Sequence, residues 1–198
     1  MPILKREPDL YPESLFESSS TDAPWWVAYV RSRQEKSLAR HLLQREIPFY
    51  LPNREKEIRR NGRRAISHLP LFSGYVFFCG RRGERVEALR SNLIVQLLEV
   101  QDQDLLHHEL TDLYHLQQSG MPLILYPFLG PGDVVEVNEG PFKGYRGRVL
   151  REKGQLRLVV SISLLRRSVA VELDRELLTP IRVSRLAPRP ATACAYQG

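Results

Sequence analysis

The sequence predicts an α+β domain with a mainly antiparallel sheet, linked to a small all-β barrel. Three observations carry this prediction. Up to about residue 118 the segments alternate in the order strand, helix, strand, strand, helix, strand, helix. Proline and glycine then recur between Met121 and Pro131, which is typical of a linker. After this linker the apolar residues alternate with period two, as in the short strands of a small closed barrel.

The first domain is predicted to span residues 24–118. The aromatic and β-branched run Trp25–Val30 predicts a buried strand. Ser32 and Glu35 form an S-x-x-E capping box, which predicts the start of a helix that Pro48 ends. Phe49 begins a second strand.

The next segment has the pattern of a β-hairpin. The Asn61-Gly62 pair favours a tight turn because both residues adopt positive φ at little cost. Leu69–Phe78 is predicted to form another strand, with a bulge at Gly74. The rest of the domain is predicted to consist of a helix at Glu84–Arg90, a strand at Leu93–Val100 and a helix at Asp104–Gln118.

The flanking segments differ in composition. Residues 1–23 are polar and are predicted to be a disordered extension. A linker is expected over residues 119–130, the barrel over residues 131–181, and a flexible tail over residues 182–198. In the barrel, strict alternation at Leu156–Ile162 and Val169–Leu173 predicts strands joined by tight turns.

Composition limits the classes of function. The longest apolar run is far too short for a membrane span, and charges near Met1 leave no apolar core for a signal peptide, so we expect a soluble cytoplasmic protein. Two cysteines exclude a disulfide scaffold. A net charge of +6 favours a polyanionic partner without proving one.

No catalytic motif is present, so we predict that the protein is not an enzyme and uses no cofactor. His108, Asp112 and His115 share one helix face at a spacing that metal sites use. A solvated face opposite the leucine stripe explains the same spacing, and we predict no metal site. Cys79 is predicted to be a core residue.

Basic residues are concentrated in the hairpin between Arg54 and Arg64, at whose tip arginines could neutralise nucleic-acid phosphates. A charged hairpin that merely blunts a sheet edge is the alternative. A second basic cluster surrounds the following loop at Arg81, Arg82, Arg85 and Arg90, and the same alternative applies.

Both alternating sets of the predicted strand Leu69–Phe78 are apolar. Tyr75 and Phe77 share one face, while Val76 and Phe78 share the other. Either helices cover both faces of the sheet, or one face is an exposed aromatic patch that docks a partner.

In this order, these segments resemble the NusG-type transcription factors, an NGN domain linked to a KOW domain, and most of all the RfaH-like paralogues. The resemblance covers about residues 25–180. Its carriers are Trp25–Val27, Arg60–Phe72, Gly74–Phe77, Gly132–Gly144 with Gly147, Val160–Ile162 and Val169–Asp174.

The resemblance implies an NGN-type antiparallel sheet with flanking helices and an SH3-like KOW barrel. It also implies that the open face of the sheet grips the clamp helices of RNA polymerase, and that a second contact crosses the cleft. RfaH-like members also read non-template DNA. The residues that match are Tyr75, Phe77, Phe72 and Tyr29 for the clamp, Arg81, Arg82 and Arg85 for the second contact, and Arg31, His41 and Arg45 for DNA, to which the hairpin adds Arg60, Arg63 and Arg64.

For the KOW barrel, the resemblance implies a contact with the small-subunit ribosomal protein NusE or with the termination factor Rho. The implied rim consists of Gly140, Phe142, Gly144 and Ile162. Because the barrel strands are β-branched with period two, we predict a permanent barrel rather than one that refolds into helices.

The function predicted from this resemblance is transcription elongation and antitermination by a monomeric factor. A housekeeping NusG that assists Rho is one alternative, although the extension and the Arg60–Phe72 segment argue against it. An RNA-binding ribosomal or assembly protein is another, since KOW barrels also occur there. A metal hydrolase built on His108, Asp112 and His115 is the third.

Overall fold

The computed structural model describes residues 8–17, 23–60, 63–126, 135–136, 146–152 and 155–173. The first domain contains seven strands and three helices among these residues. They are β1 (Leu10–Tyr11), β2 (Trp25–Val30), α1 (Glu35–Leu43), β3 (Phe49–Tyr50), β4 (Asn53–Arg60), β5 (Arg63–Pro70), β6 (Tyr75–Cys79), α2 (Arg82–Leu89), β7 (Ile94–Leu98) and α3 (Gln103–Gln118).

The core of this domain is a five-stranded antiparallel sheet in the order β1-β3-β6-β2-β7. Strands β4 and β5 form a separate two-stranded hairpin whose register ends at the pair Arg60 and Arg63, and the predicted turn residues Asn61 and Gly62 lie outside the described residues. This is the predicted α+β architecture of an antiparallel sheet with flanking helices.

Helices cover both faces of the sheet. On one face, Val76 and Phe78 pack in a buried cluster with Leu38 and Leu42 of α1 and Ala88 of α2. On the other face, the buried residues pack with the leucine stripe of α3. That stripe consists of Leu106, Leu110, Leu113 and Leu116, which recur at helical spacing and are all buried. Asp102 begins α3, since its side chain accepts a hydrogen bond from the Leu105 amide at 2.9 Å.

The N-terminal extension is partly structured, so the prediction of disorder throughout residues 1–23 is wrong. Strand β1 pairs with β3 at the edge of the sheet, and a 3₁₀ turn follows at Glu13–Phe16. The Phe16 ring is buried and lies 5.1 Å from the ring centroids of both Tyr50 and Tyr114. The segment is held in two ways: Leu10 and Tyr11 pair with the edge strand β3, and Leu15 and Phe16 are buried in the core.

The predicted strand Leu69–Phe78 is two strands rather than one. Strand β5 ends at Pro70, and a turn at residues 71–74 separates it from β6. Gly74 in this turn has a φ of +86°, which favours glycine, so the glycine signals a change of direction rather than a bulge within one strand.

The C-terminal domain is a second five-stranded antiparallel sheet, consistent with the predicted barrel. Its strands are β8 (Ile124–Tyr126), β9 (Val135–Glu136), β10 (Arg146–Glu152), β11 (Gln155–Ile162) and β12 (Arg167–Leu173), in the order β8-β12-β11-β10-β9. Strand β8 pairs with β12, so the domain begins within the predicted linker and the expected boundary at residue 131 is too late.

The second domain packs against α3 of the first. Apolar residues of β11 and β12 belong to the same buried cluster as the α3 leucines. At the edge of this contact, the Glu109 carboxylate accepts hydrogen bonds from the Ser163 amide at 2.9 Å and from the Ser163 hydroxyl at 2.5 Å. Burial raises the pKa of Glu109 above its ordinary value, although both Ser163 bonds oppose this shift.

No helix among the described residues is long and apolar enough to cross a membrane.

Candidate functional site

The clearest candidate for a binding surface is a pair of tyrosines at one end of the sheet. Tyr29 of β2 and Tyr75 of β6 lie directly opposite each other in the antiparallel register. Their ring centroids are 5.3 Å apart with the planes inclined at 45°, so the rings are in contact. Tyr29 is 41% exposed and Tyr75 is half-buried. Two touching, partly exposed tyrosine rings are suited to an apolar contact, because tyrosine combines an apolar ring with a polar hydroxyl group.

The other two residues of the predicted aromatic patch lie inside the protein. Phe77 is completely buried and Phe72 is 1% exposed, and their rings meet edge to face at 6.3 Å. The prediction that they form an exposed surface with Tyr75 is therefore wrong. The alternative, that helices cover this face of the sheet, is correct for Phe72 and Phe77, since both belong to the cluster that contains the α3 leucines.

The turn before β6 holds the tyrosine pair in place. The Gly74 amide donates a hydrogen bond to Glu35 Oε1 at 2.7 Å. Glu35 is the first residue of α1, and its side chain makes this bond across the fold, while the N-cap residue of the helix is Gln34, which makes no side-chain cap. The predicted Ser32–Glu35 capping box is therefore wrong, because the carboxylate has a distant partner that sequence spacing cannot reveal.

The basic loop predicted as a second contact lies at the start of α2. Arg81, Arg82 and Arg85 are all exposed. The Arg85 guanidinium lies 4.6 Å from the centroid of the Trp26 ring, a cation–π contact. The Trp26 indole nitrogen donates to the Gly80 carbonyl oxygen at 2.8 Å. Trp26 therefore holds the Arg85 guanidinium at this surface. Its position in an apolar strand gives no sign of this contact in the sequence.

The residues predicted to contact DNA occupy two places. Arg31 is exposed at the end of β2. His41 Nε2 donates to the Glu87 carbonyl oxygen at 2.9 Å, and Arg45 Nε lies 3.4 Å from the Glu87 carboxylate. His41 and Arg45 therefore tie α1 to α2, and their polar groups already have protein partners.

The arginines at the hairpin tip are placed by backbone register alone. Arg60 is paired with Arg63, and Arg64 is paired with Arg59. Their side chains lie outside the described residues.

Only one residue of the predicted barrel rim is described. Gly140, Phe142 and Gly144 lie outside the described residues, whereas Ile162 is 1% exposed. Ile162 belongs to the buried cluster that includes α3, so the prediction that it forms an accessible rim is wrong for this arrangement of the domains.

Among the described residues no group of three or more histidine, cysteine, aspartate or glutamate side chains could hold a metal ion. The His108 ring donates from Nδ1 to the Asp104 carbonyl oxygen at 2.6 Å within α3. Cys79 is buried, as expected of a core residue.

The N-terminal domain is similar to a family of transcription factors. Residues 23–102 match the NusG family, described as transcription termination factor nusG. This segment contains four of the five strands of the sheet, α1, α2, the hairpin and the tyrosine pair, and it is less than half of the chain.

The search of curated proteins found no match. Among solved structures, one similar chain is described as "Domain interaction in Thermotoga maritima NusG". It is 18% identical, the TM-score is 0.40, and the alignment covers 77% of this chain and 93% of that chain.

Proposed function

We propose that this protein is a NusG-type transcription elongation factor that binds the clamp helices of RNA polymerase through Tyr29 and Tyr75. The observation that carries the proposal is a pair of touching tyrosines, one exposed and one half-buried, within the segment that matches the NusG family. The buried Phe72 and Phe77 support this surface from inside and do not touch the partner.

Binding of this kind can change transcription without chemistry. A factor that prefers the closed clamp over the open clamp shifts that equilibrium by its differential affinity. A preference of about 1.4 kcal/mol corresponds to about a tenfold change in population. Suppression of pausing or termination, of the kind that RfaH-like factors perform, follows from such a preference.

The basic surfaces serve as supporting contacts in this proposal. Arg81, Arg82 and Arg85 contact the opposite side of the cleft, and the Trp26 ring holds the Arg85 guanidinium in place by a cation–π contact. Arg31 and the hairpin arginines Arg60, Arg63 and Arg64 contact non-template DNA through its phosphates. His41 and Arg45 contribute by fixing α1 against α2. The barrel recruits the ribosome or Rho after it leaves α3.

A binding experiment with the full chain and RNA polymerase core enzyme tests the proposal. The variant Tyr29→Ala plus Tyr75→Ala should lose polymerase, because truncation of aromatic residues at the centre of an interface costs about 2 kcal/mol or more. Leu105→Ala is the matched control, since Leu105 is 46% exposed and lies at the start of α3. Polymerase retained by the double variant at wild-type affinity would overturn the proposal.

A further inference from the structure

Glu35 is the only buried acidic residue among the described residues, with 6% of its surface exposed. A buried carboxylate is costly unless it accepts strong hydrogen bonds. Glu35 accepts one from the Gly74 amide at 2.7 Å, a distance typical of a bond to a charged acceptor. The two residues are 39 positions apart, so this bond joins the start of α1 to the turn before β6.

This turn touches both members of the tyrosine pair. The Gly74 carbonyl oxygen accepts a hydrogen bond from the Val30 amide at 2.8 Å, which anchors the residue next to Tyr29. A Cβ atom at Gly74 would lie 3.0 Å from Tyr29 Cε2, so the Tyr29 ring lies directly against the turn. Tyr75 follows Gly74 in the chain, and its amide donates to the Phe72 carbonyl oxygen at 3.1 Å.

We propose that Glu35 is a positioning residue for the tyrosine pair and acts through Gly74. The inference rests on the proposed function, since it assigns a role to Glu35 in the affinity of that surface for RNA polymerase. The carboxylate holds the turn in one conformation, and the turn sets where the Tyr29 ring rests and where Tyr75 leaves the strand. A surface that is already ordered loses less conformational entropy when its partner binds.

If Glu35 had a purely structural role, the expected results would differ. Its removal would then lower the stability of α1 and of the sheet and leave the affinity of the folded protein for RNA polymerase unchanged. The two roles are separated by measuring affinity and ring geometry in protein that is shown to be folded, instead of measuring stability alone.

The first arm compares Glu35→Ala and Glu35→Gln in the full chain for binding to RNA polymerase core enzyme. Glutamine keeps an acceptor oxygen at the same chain length, whereas alanine has none. We expect Glu35→Ala to weaken binding by up to about tenfold, the cost of ordering one or two side chains on binding, and Glu35→Gln to recover most of that loss. Wild-type affinity in folded Glu35→Ala would overturn the proposal.

The second arm needs no polymerase. In nuclear magnetic resonance spectra, cross-relaxation between the Tyr29 and Tyr75 rings reports the contact that the 5.3 Å centroid distance implies. We expect it to weaken in Glu35→Ala and to persist in Glu35→Gln, with the Gly74 amide resonance displaced in both. If Glu35→Ala does not fold, Glu35→Asp takes its place, because its carboxylate is one methylene group shorter; wild-type affinity together with an unchanged ring contact in folded Glu35→Asp would overturn the proposal.

The two arms also separate this inference from the proposed function. If the wild-type protein does not bind polymerase, the proposed function fails, and the ring contact still tests whether Glu35 positions the pair. If the wild type binds and Tyr29→Ala plus Tyr75→Ala does not, while Glu35→Ala retains both affinity and ring contact, only the role of Glu35 fails.

Discussion

Two positions of one strand, Tyr75 at its start and Phe77 at its centre, show how differently the same sequence pattern can be used. Tyr75 and Phe77 are both aromatic, belong to β6 and lie on the same face of the sheet. Phe77 is completely buried in the cluster that includes the α3 leucines, whereas Tyr75 is half-buried beside the exposed Tyr29. An apolar strand face therefore identifies residues whose burial is favourable. Whether such a residue is buried by the protein itself or remains available to a partner depends on which element packs over that position.

The largest effect is expected from truncation of the buried aromatic residue of β6, Phe77. Phe77→Ala removes a completely buried ring and should lower the free energy of unfolding by about 3–5 kcal/mol, because both burial and packing are lost. Urea denaturation of the full chain measures the loss. Tyr75→Ala is the paired control and should lower the free energy of unfolding clearly less. Equal losses for the two variants would remove the distinction between the two positions.

A smaller effect is expected from Gly74→Ala, which acts in the turn beside the tyrosine pair. The substitution places a Cβ atom 3.0 Å from Tyr29 Cε2 at a φ of +86°, so it should cost about 1–2 kcal/mol of stability and displace the Tyr29 ring. Thermal unfolding and the ring resonances measure the two effects. Gly83→Ala is the matched control, because a Cβ there meets no atom within 4 Å. An unshifted Tyr29 ring in Gly74→Ala would contradict the close contact.

The smallest effect concerns the contact between α3 and the C-terminal domain. Because burial raises the pKa of Glu109, its protonated form is favoured in the docked state. Its contribution should be fully present below the ordinary carboxyl pKa of 4.5 and be lost as pH rises through the raised value. Unfolding measured at a series of pH values from below 4.5 upward should show this decline.

Glu109→Gln is the control for that decline. Glutamine can accept from the Ser163 amide and donate to the Ser163 hydroxyl without a charge, so the variant should keep the contact and lose this part of the pH dependence. The same decline in wild type and Glu109→Gln would show that another group is responsible.

Local sequence patterns predicted the parts of the fold that local interactions determine. Strand Trp25–Val30 is as predicted, and α3 begins one residue before the predicted position. The misplaced parts depend on distant partners: Leu10–Tyr11 is a strand because β3 is available, and Ile124–Tyr126 is a strand because β12 is available. Short segments rich in proline carry too little pattern to reveal such pairing.

The candidate site was predictable to a similar extent. The apolar alternation of β6 predicts a surface role for Tyr75, and the family resemblance predicts one for Tyr29, which pairs with Tyr75 in the sheet. The burial of Phe77 and the hydrogen bond from Gly74 to Glu35 were not predictable, because they depend on how α3 and α1 pack over the sheet. A glutamate three residues after a serine looks like a helix cap whether or not its carboxylate is used elsewhere.

The most direct test of the central claim is site-specific photo-crosslinking of the full chain to RNA polymerase core enzyme. A benzophenone side chain is introduced at Tyr29 in one variant and at Leu105, which has similar exposure, in another. The account predicts a crosslink from position 29 to the clamp helices and none to them from position 105. A clamp crosslink from position 105 with none from position 29 would contradict it.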